Sequence, residues 1–152
     1  MVTLAENRRA RADFRLVETF EAGLVLRGFE TKAVKRGKAA LAGSRVIIRG
    51  GEAFLVGADI PPYQPGNTPA DYDPQRTRKL LLAKKEIAYL GGKSDMRGLT
   101  LIPLRLYTKS NLVKLEFALA AGLKKHDKRE RIKEREAKRR IERTLKKTVS
   151  DD

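Results

Sequence analysis

The residues with the most obvious chemical potential in this sequence are its cations. Thirty-four Lys and Arg against 19 Asp and Glu give 152 residues a net charge of +15. A field of that sign suits a polyanionic partner, and nucleic acid is the first suspect. Side chains that carry covalent or proton-transfer chemistry are scarce. There is no cysteine, which removes disulfides, thiolate metal sites and thiol nucleophiles. His126 is the single histidine and stands in a run of charged residues with no second His or Cys to pair with. No G-x-G-x-x-G or Walker lysine occurs, and the carboxylates lie scattered among basic residues without metal-site spacing. The expectation is a binding protein, not an enzyme, working without a cofactor.

Two short motifs resemble RNA-binding signatures and are set aside. Arg27-Gly28-Phe29-Glu30 begins like the aromatic signature of an RNA recognition motif but departs at the fourth residue and falls in an expected helix. Arg49-Gly50-Gly51 is one unit of an arginine-glycine repeat, and a single copy reads as a turn.

The elements that must present the cations are short. After a basic arm, Asn7-Arg8-Arg9-Ala10-Arg11, the segment from Phe14 to Arg27 reads as two strands interrupted by Gly23. Gly28 to Gly37 reads as a short helix with a glycine C-cap. Arg45 to Arg49 and Glu52 to Val56 flank Gly50-Gly51 as a hairpin. Four prolines in the nine residues from Pro61 to Pro69 make a loop. Asp73 as N-cap, Pro74 behind it and Gly91-Gly92 at the far end predict a helix of about four turns with Leu80, Ala83, Ile87 and Leu90 as its core stripe and Leu81 off that stripe. The next strand slips its alternation at Ile102-Pro103, as a bulge would make it do. In the last strand Val113, Leu115, Phe117 and Leu119 share one face, with Lys114 and Glu116 on the other. About six strands and two helices predict a mainly β fold, a small barrel like the oligonucleotide-binding fold with flanking helices.

Past Gly122 the composition changes. Between Lys124 and Lys147 thirteen basic residues face five acidic ones, a net of +8 within the chain's +15. Glu134 with Lys138, Glu136 with Arg140 and Glu142 with Lys146 have helix-supporting spacing, but Ile132, Ala137, Ile141 and Leu145 make too thin a stripe to bury. The expected domains are a barrel at 1–122, with residues 1–12 as its basic arm, and a tail at 123–152. The tail is expected to be disordered in the free protein and helical once polyphosphate neutralises it.

Several blocks now carry a resemblance. Phe20-Glu21-Ala22-Gly23-Leu24-Val25-Leu26, Gly50 through Ala58, Asp73-Pro74 with Arg76-Thr77-Arg78-Lys79-Leu80-Leu81-Leu82, and His126-Asp127-Lys128-Arg129 occur in the order and spacing of the SmpB family, which they resemble. That family partners transfer-messenger RNA (tmRNA) in bacterial trans-translation, the rescue of ribosomes stalled on messages without a stop codon. The resemblance implies tmRNA contacts at Glu21, Leu81 and Lys114 on the surface that holds the tRNA-like domain. Arg76, Arg78, Lys79, Asn7 and Arg9 complete the expected RNA-binding set. It also implies that His126, Asp127, Lys128 and Arg129 lie near the decoding centre, with Lys133 and Arg135 on a helix along the vacant messenger channel. The implied partners are tmRNA, the ribosome, chiefly small-subunit ribosomal RNA, and elongation factor Tu within the alanyl-tmRNA complex.

From the residues alone, the usual reading is a solvated lysine for Lys114, a core-edge leucine for Leu81 and a surface charge for Glu21, and the resemblance tips each toward contact. Three departures from the family pattern stand out: Phe29 where a small or polar residue is common, Tyr72 in place of histidine before Asp73-Pro74, and Leu123 in place of a basic residue. Two rival readings share the composition. One is a structural ribosome component, which would stay bound through salt washes; the other is a nonspecific polyanion binder, with equal affinity for unrelated polyanions. The expectation is a cytoplasmic protein, since no stretch has signal-peptide or membrane-span character; the oligomeric state is left open, though the resemblance implies a protein that replaces half a tRNA and is most simply a monomer.

Overall fold

Alternation of inward and outward side chains sets most of the architecture. The computed structural model describes residues 1–123 and 133–143. The elements are β1 (Val2–Glu6), α1 (Ala10–Asp13), β2 (Phe14–Leu24), α2 (Gly28–Lys35), β3 (Arg45–Arg49), β4 (Glu52–Val56), a 3-10 turn (Pro65–Asn67), β5 (Arg78–Leu81), α3 (Lys84–Ser94), β6 (Leu99–Lys109) and β7 (Leu112–Gly122). All pairings are antiparallel, in the order β1-β6-β3-β4-β5-β2-β7, and the additional pairing of β6 with β7 closes β6, β3, β4, β5, β2 and β7 into a ring. This is the expected small barrel, with one strand outside it. Leu55, Leu80, Leu90, Leu106, Leu115 and Phe117 fill its interior.

Several expectations hold in detail. Gly50 and Gly51 have φ of +60° and +75°, the left-handed pair that a two-residue hairpin turn requires. Gly37, at φ +74°, ends α2 with its amide donating to the Val34 carbonyl while the Lys38 amide donates to Ala33, a Schellman closure. The bulge in β6 lies between Pro103 and Arg105.

Three expectations are corrected. Residues 1–12 are not an arm. The outer faces of β6 and β7 carry Ile102, Leu104, Ala118 and Ala120, which must be covered, and Ala10 of α1 is buried with them. β1 pairs with β6 at Arg105 to Thr108, beyond the point where β3 pairs at Leu101. Phe14 to Leu24 is one strand, not two. Gly23 is paired on both sides, to Leu81 and to Lys114, so it stays in the ladder instead of breaking it.

The third correction concerns the helix expected from Asp73. The Asp73 carboxylate instead accepts the Gln75 amide at 2.9 Å in an Asx turn. Residues 78–81 form a strand between β4 and β2, with Arg78 and Leu80 buried and Lys79 and Leu81 exposed. The helix begins only at Lys84, so Gly91 and Gly92 lie inside it. Leu80-Leu81-Leu82 suits either period, and pairing with two neighbouring strands outweighs local helix propensity.

By contact the chain divides into Met1–Gly122 and Leu123–Asp152. In the second unit residues 133–143 are helical, and every side chain of that helix is exposed, Ile141 included.

Candidate nucleic-acid interface

Strand register brings together residues far apart in sequence. Leu81 on β5 pairs with Gly23 on β2, Gly23 with Lys114 on β7, and Lys114 with Tyr107 on β6. Directly paired residues project from the same face, so these four form one row across four strands. Two residues along, Glu21, Glu116 and Arg105 form a second row on that face. Their neighbours Ala22, Leu80, Leu106 and Leu115 point into the core, which makes this the outer surface. Glu21, Leu81 and Lys114, singled out by the resemblance, therefore share a single band.

The band is polar and internally linked. The Tyr107 hydroxyl donates to Glu21 Oε2, while Oε1 lies 3.6 Å from Lys109 Nζ. The Arg105 guanidinium sits 4.5 Å from the centre of the Tyr107 ring and donates to Glu116 Oε2 at 3.3 Å and to Thr3 Oγ1 at 3.1 Å. The Tyr107 bond, with Lys109 and Lys114 adding their charges, holds the Glu21 carboxyl below its usual range. Burial, then the bond to Glu21, raises the Tyr107 phenol. At the band's edge Leu81 is 57% exposed, an apolar side chain open to solvent.

The remaining expected contacts divide. Lys79 points outward, about half exposed, with Nζ 3.1 Å from Glu52. Arg78 is a correction. Its side chain is fully buried, and its guanidinium donates to Glu30, the Ala58 and Pro74 carbonyls and the Tyr72 hydroxyl, so it is not available to RNA. The alternation that turns Leu81 outward turns Arg78 inward. Arg76 grips the same Glu30 carboxylate through Nε and Nη2 and keeps part of its surface in solvent. Burial works against ionisation of Glu30, but Arg76, the Arg27 amide and Arg78 together outweigh it and hold its pKa at about 2.

Asn7 and Arg9 lie elsewhere. The Asn7 amide groups donate to Pro103 and Leu104 carbonyls at the β6 bulge, so Asn7 pins the N-terminal segment to the barrel. Arg9 is exposed and lines a cleft of about 980 Å³ with Arg8, Arg45, Phe14 and Ile102. Lys133 and Arg135 are exposed on helix 133–143. His126, Asp127, Lys128 and Arg129 lie outside the described residues. Among the described residues no group of three His, Asp or Glu could hold a metal ion.

Sequence reasoning passed over Tyr107, Arg105 and Glu30. For the first two the signal was present: they alternate with Leu106, so an inward Leu106 requires both to face out. Glu30 carried no such signal, because its partners Arg76 and Arg78 are 46 and 48 residues away.

The band can be set beside known proteins. The family described as SmpB protein matches residues 4–147 of this chain. An SsrA-binding protein of Thermosynechococcus vestitus is 48% identical over 143 residues, 94% of either chain. Another, of Halothermothrix orenii, is 48% identical over 143 residues, covering 94% of this chain and 92% of its own. A chain from a solved structure described as tmRNA-SmpB and the centre of the bacterial ribosome is 44% identical with a TM-score of 0.66, covering 79% of this chain and 84% of that one. With the match running from β1 through the barrel into the basic tail, the chain belongs to the SmpB family.

Proposed function

We propose that this chain is an RNA-binding adaptor of trans-translation: its barrel holds the tRNA-like domain of tmRNA, and its basic tail enters the decoding centre and vacant messenger channel of a stalled ribosome. The observation that carries this reading is the convergence of Glu21, Leu81 and Lys114 from three strands onto one outer face. Lys114 supplies a phosphate contact, Leu81 an apolar surface for an unstacked base or sugar, and Glu21 an acceptor for base amino groups or a ribose 2′-hydroxyl. Cations alone would take any polyanion; a carboxylate among them adds choice. Lys79, two residues from Leu81 on the same face of β5, adds a cation beside it, part of Arg76 stays in solvent where it grips Glu30, and Arg9 adds charge at the cleft.

The tail serves a different step. Thirteen basic residues between Lys124 and Lys147 suit a channel walled by ribosomal RNA phosphates and are excluded while messenger fills it, so the tail reports vacancy. His126, Asp127, Lys128 and Arg129 stand at the decoding centre in this reading, with Lys133 and Arg135 further along. Elongation factor Tu accompanies the alanyl-tmRNA complex, and peptide-bond chemistry belongs to the ribosome.

The test is competition between tmRNA and bulk tRNA for the purified chain at near-physiological salt, with Glu21→Ala, Leu81→Ala and Lys114→Ala in parallel. Clear preference for tmRNA, erased by each substitution, supports the clamp. Equal competition by all RNAs reduces the protein to its charge.

A further inference from the structure

Tyr107 faces the outside of the barrel yet is only 1% exposed. Its ring is covered by the Arg105 guanidinium, and its direct neighbour on β7 is Lys114. Its hydroxyl donates to Glu21 Oε2. The other carboxylate oxygen, Oε1, lies 3.6 Å from the ammonium of the exposed Lys109.

A surface glutamate with no partner wanders among rotamers and loses that freedom when it binds. Glu21 is spared most of this loss, because a phenol fixed by packing holds one of its oxygens. The phenol suits this role because it is protonated at neutral pH and so donates to the carboxylate; burial and the Glu21 bond raise its ionisation further. The carboxylate in turn stays ionised and can only accept.

We propose that Tyr107 is a positioning residue for RNA recognition, its hydroxyl holding Glu21 so that Oε1 accepts one donor from a nucleotide, an N–H of a base or a ribose 2′-hydroxyl. The proposal rests on the reading of Glu21 as an RNA contact. A fixed carboxylate repels a phosphate or a carbonyl edge and welcomes a donor edge, so the pair turns an otherwise permissive basic face into a selective one. Arg105 keeps the ring in place from above, and Glu116 and Thr3 keep Arg105 there.

The experiment uses the full chain as wild type, Tyr107→Phe, Glu21→Gln and the double variant. Three quantities are read: the titration midpoint of the Glu21 carboxyl by carbon NMR, the preference for tmRNA over bulk tRNA, and the thermal midpoint. Phe keeps the ring beneath Arg105, so the fold and the affinity for bulk tRNA should persist. The Glu21 midpoint should rise toward the ordinary 4.5, and the tmRNA preference should fall roughly tenfold. In the Glu21→Gln background, Tyr107→Phe should remove nothing further.

An unchanged Glu21 titration overturns the proposal, as does equal weakening of tmRNA and tRNA binding in step with a lower thermal midpoint. If Glu21→Gln destroys the preference while Tyr107→Phe leaves it whole, the interface stands and the positioning role does not. If Glu21→Gln keeps the preference, the role of Glu21 in recognition fails and that of Tyr107 with it. One readout needs no Tyr107 variant: the wild-type phenolic proton should be protected from exchange and lose that protection in Glu21→Ala, which removes the acceptor. A phenolic proton that exchanges freely in the wild type counts against the bond itself.

Discussion

Leu81 leans across Gly23: a Cβ built on Gly23 would stand 3.4 Å from both Cβ and Cδ1 of Leu81. Gly23 also pairs with Lys114 on its other side. Leu81 and Lys114 therefore flank a strip of bare backbone two strand spacings across, about 10 Å. An apolar wall, a flat floor and a cation opposite suit a sugar or base with its phosphate toward Lys114. Gly23→Ala places a methyl at the limit of ordinary contact and should weaken tmRNA preference only slightly. Gly23→Val fills the gap and should cost far more preference, while the strand, gaining a β-branched residue, keeps or raises its thermal midpoint. Undiminished tmRNA preference in Gly23→Val would mean that the gap is not used.

Acid should act on the fold through Glu30. Its carboxyl is buried and titrates at about 2, against an ordinary 4.5. A depressed folded-state pKa means that the unfolded chain binds the proton first as pH falls, so the stabilisation is whole above about pH 4.5 and is lost progressively down to about pH 2. The shift corresponds to a contribution on the order of 3 kcal/mol. Glu30→Gln should remove this acid-dependent part, flattening stability between those pH values, and should lower stability at pH 7 because Arg78 is left buried without its counter-ion. Denaturant unfolding at a series of pH values measures both. An equally steep acid loss in Glu30→Gln would assign it to other carboxylates.

Phe29 and Tyr72, each read from the resemblance as a departure, meet edge to face, with centroids 4.8 Å apart and planes at 89°. The Tyr72 hydroxyl also donates to the Ile60 carbonyl at 2.7 Å and lies 3.0 Å from Glu30 Oε2. Phe29→Ser and Tyr72→His should each destabilise the barrel, and the pair together should cost less than the sum. The expected coupling is about 0.5–1.5 kcal/mol. A double-mutant cycle by chemical denaturation reads it directly; strict additivity would make the contact incidental. Because this cluster ties α2 to the segment ahead of β5, tmRNA preference should survive wherever the fold does.

What could be read from sequence follows the range of the interactions. The β3–β4 hairpin, the end of α2, the bulge in β6 and the faces of β7 are decided by neighbours in the chain, and their patterns were legible. The strand at 78–81 was not, because three leucines fit either period and the decision lies with β4 and β2. Arg78 illustrates the consequence: a basic run reads as a solvated or RNA-facing surface until the strand's register turns one member toward Glu30. The band itself was legible only as separate residues. Nothing local to Leu81, Gly23, Lys114 and Tyr107 says that they stand in one row; closure of the barrel does that.

Helix 133–143 has no buried face, because every one of its side chains is exposed. The pairs Glu134 with Lys138 and Glu136 with Arg140 are worth roughly 0.3–0.5 kcal/mol each. With no side chain buried, the helix gains nothing from packing, and like charges at Arg139 and Arg143 oppose it. Its helicity in the free chain should therefore be partial and should rise when phosphates screen the cations. Circular dichroism of the full chain, less that of a chain ending at Leu123, should show a helical difference spectrum that grows with added ribosomal RNA fragments and fades as salt is raised. The same truncation should leave tmRNA preference nearly intact, since the band lies wholly on the barrel strands, and should abolish peptide tagging on stalled ribosomes. Tagging by the truncated chain would overturn the role of the tail as a sensor of the empty channel, whatever its helicity proved to be.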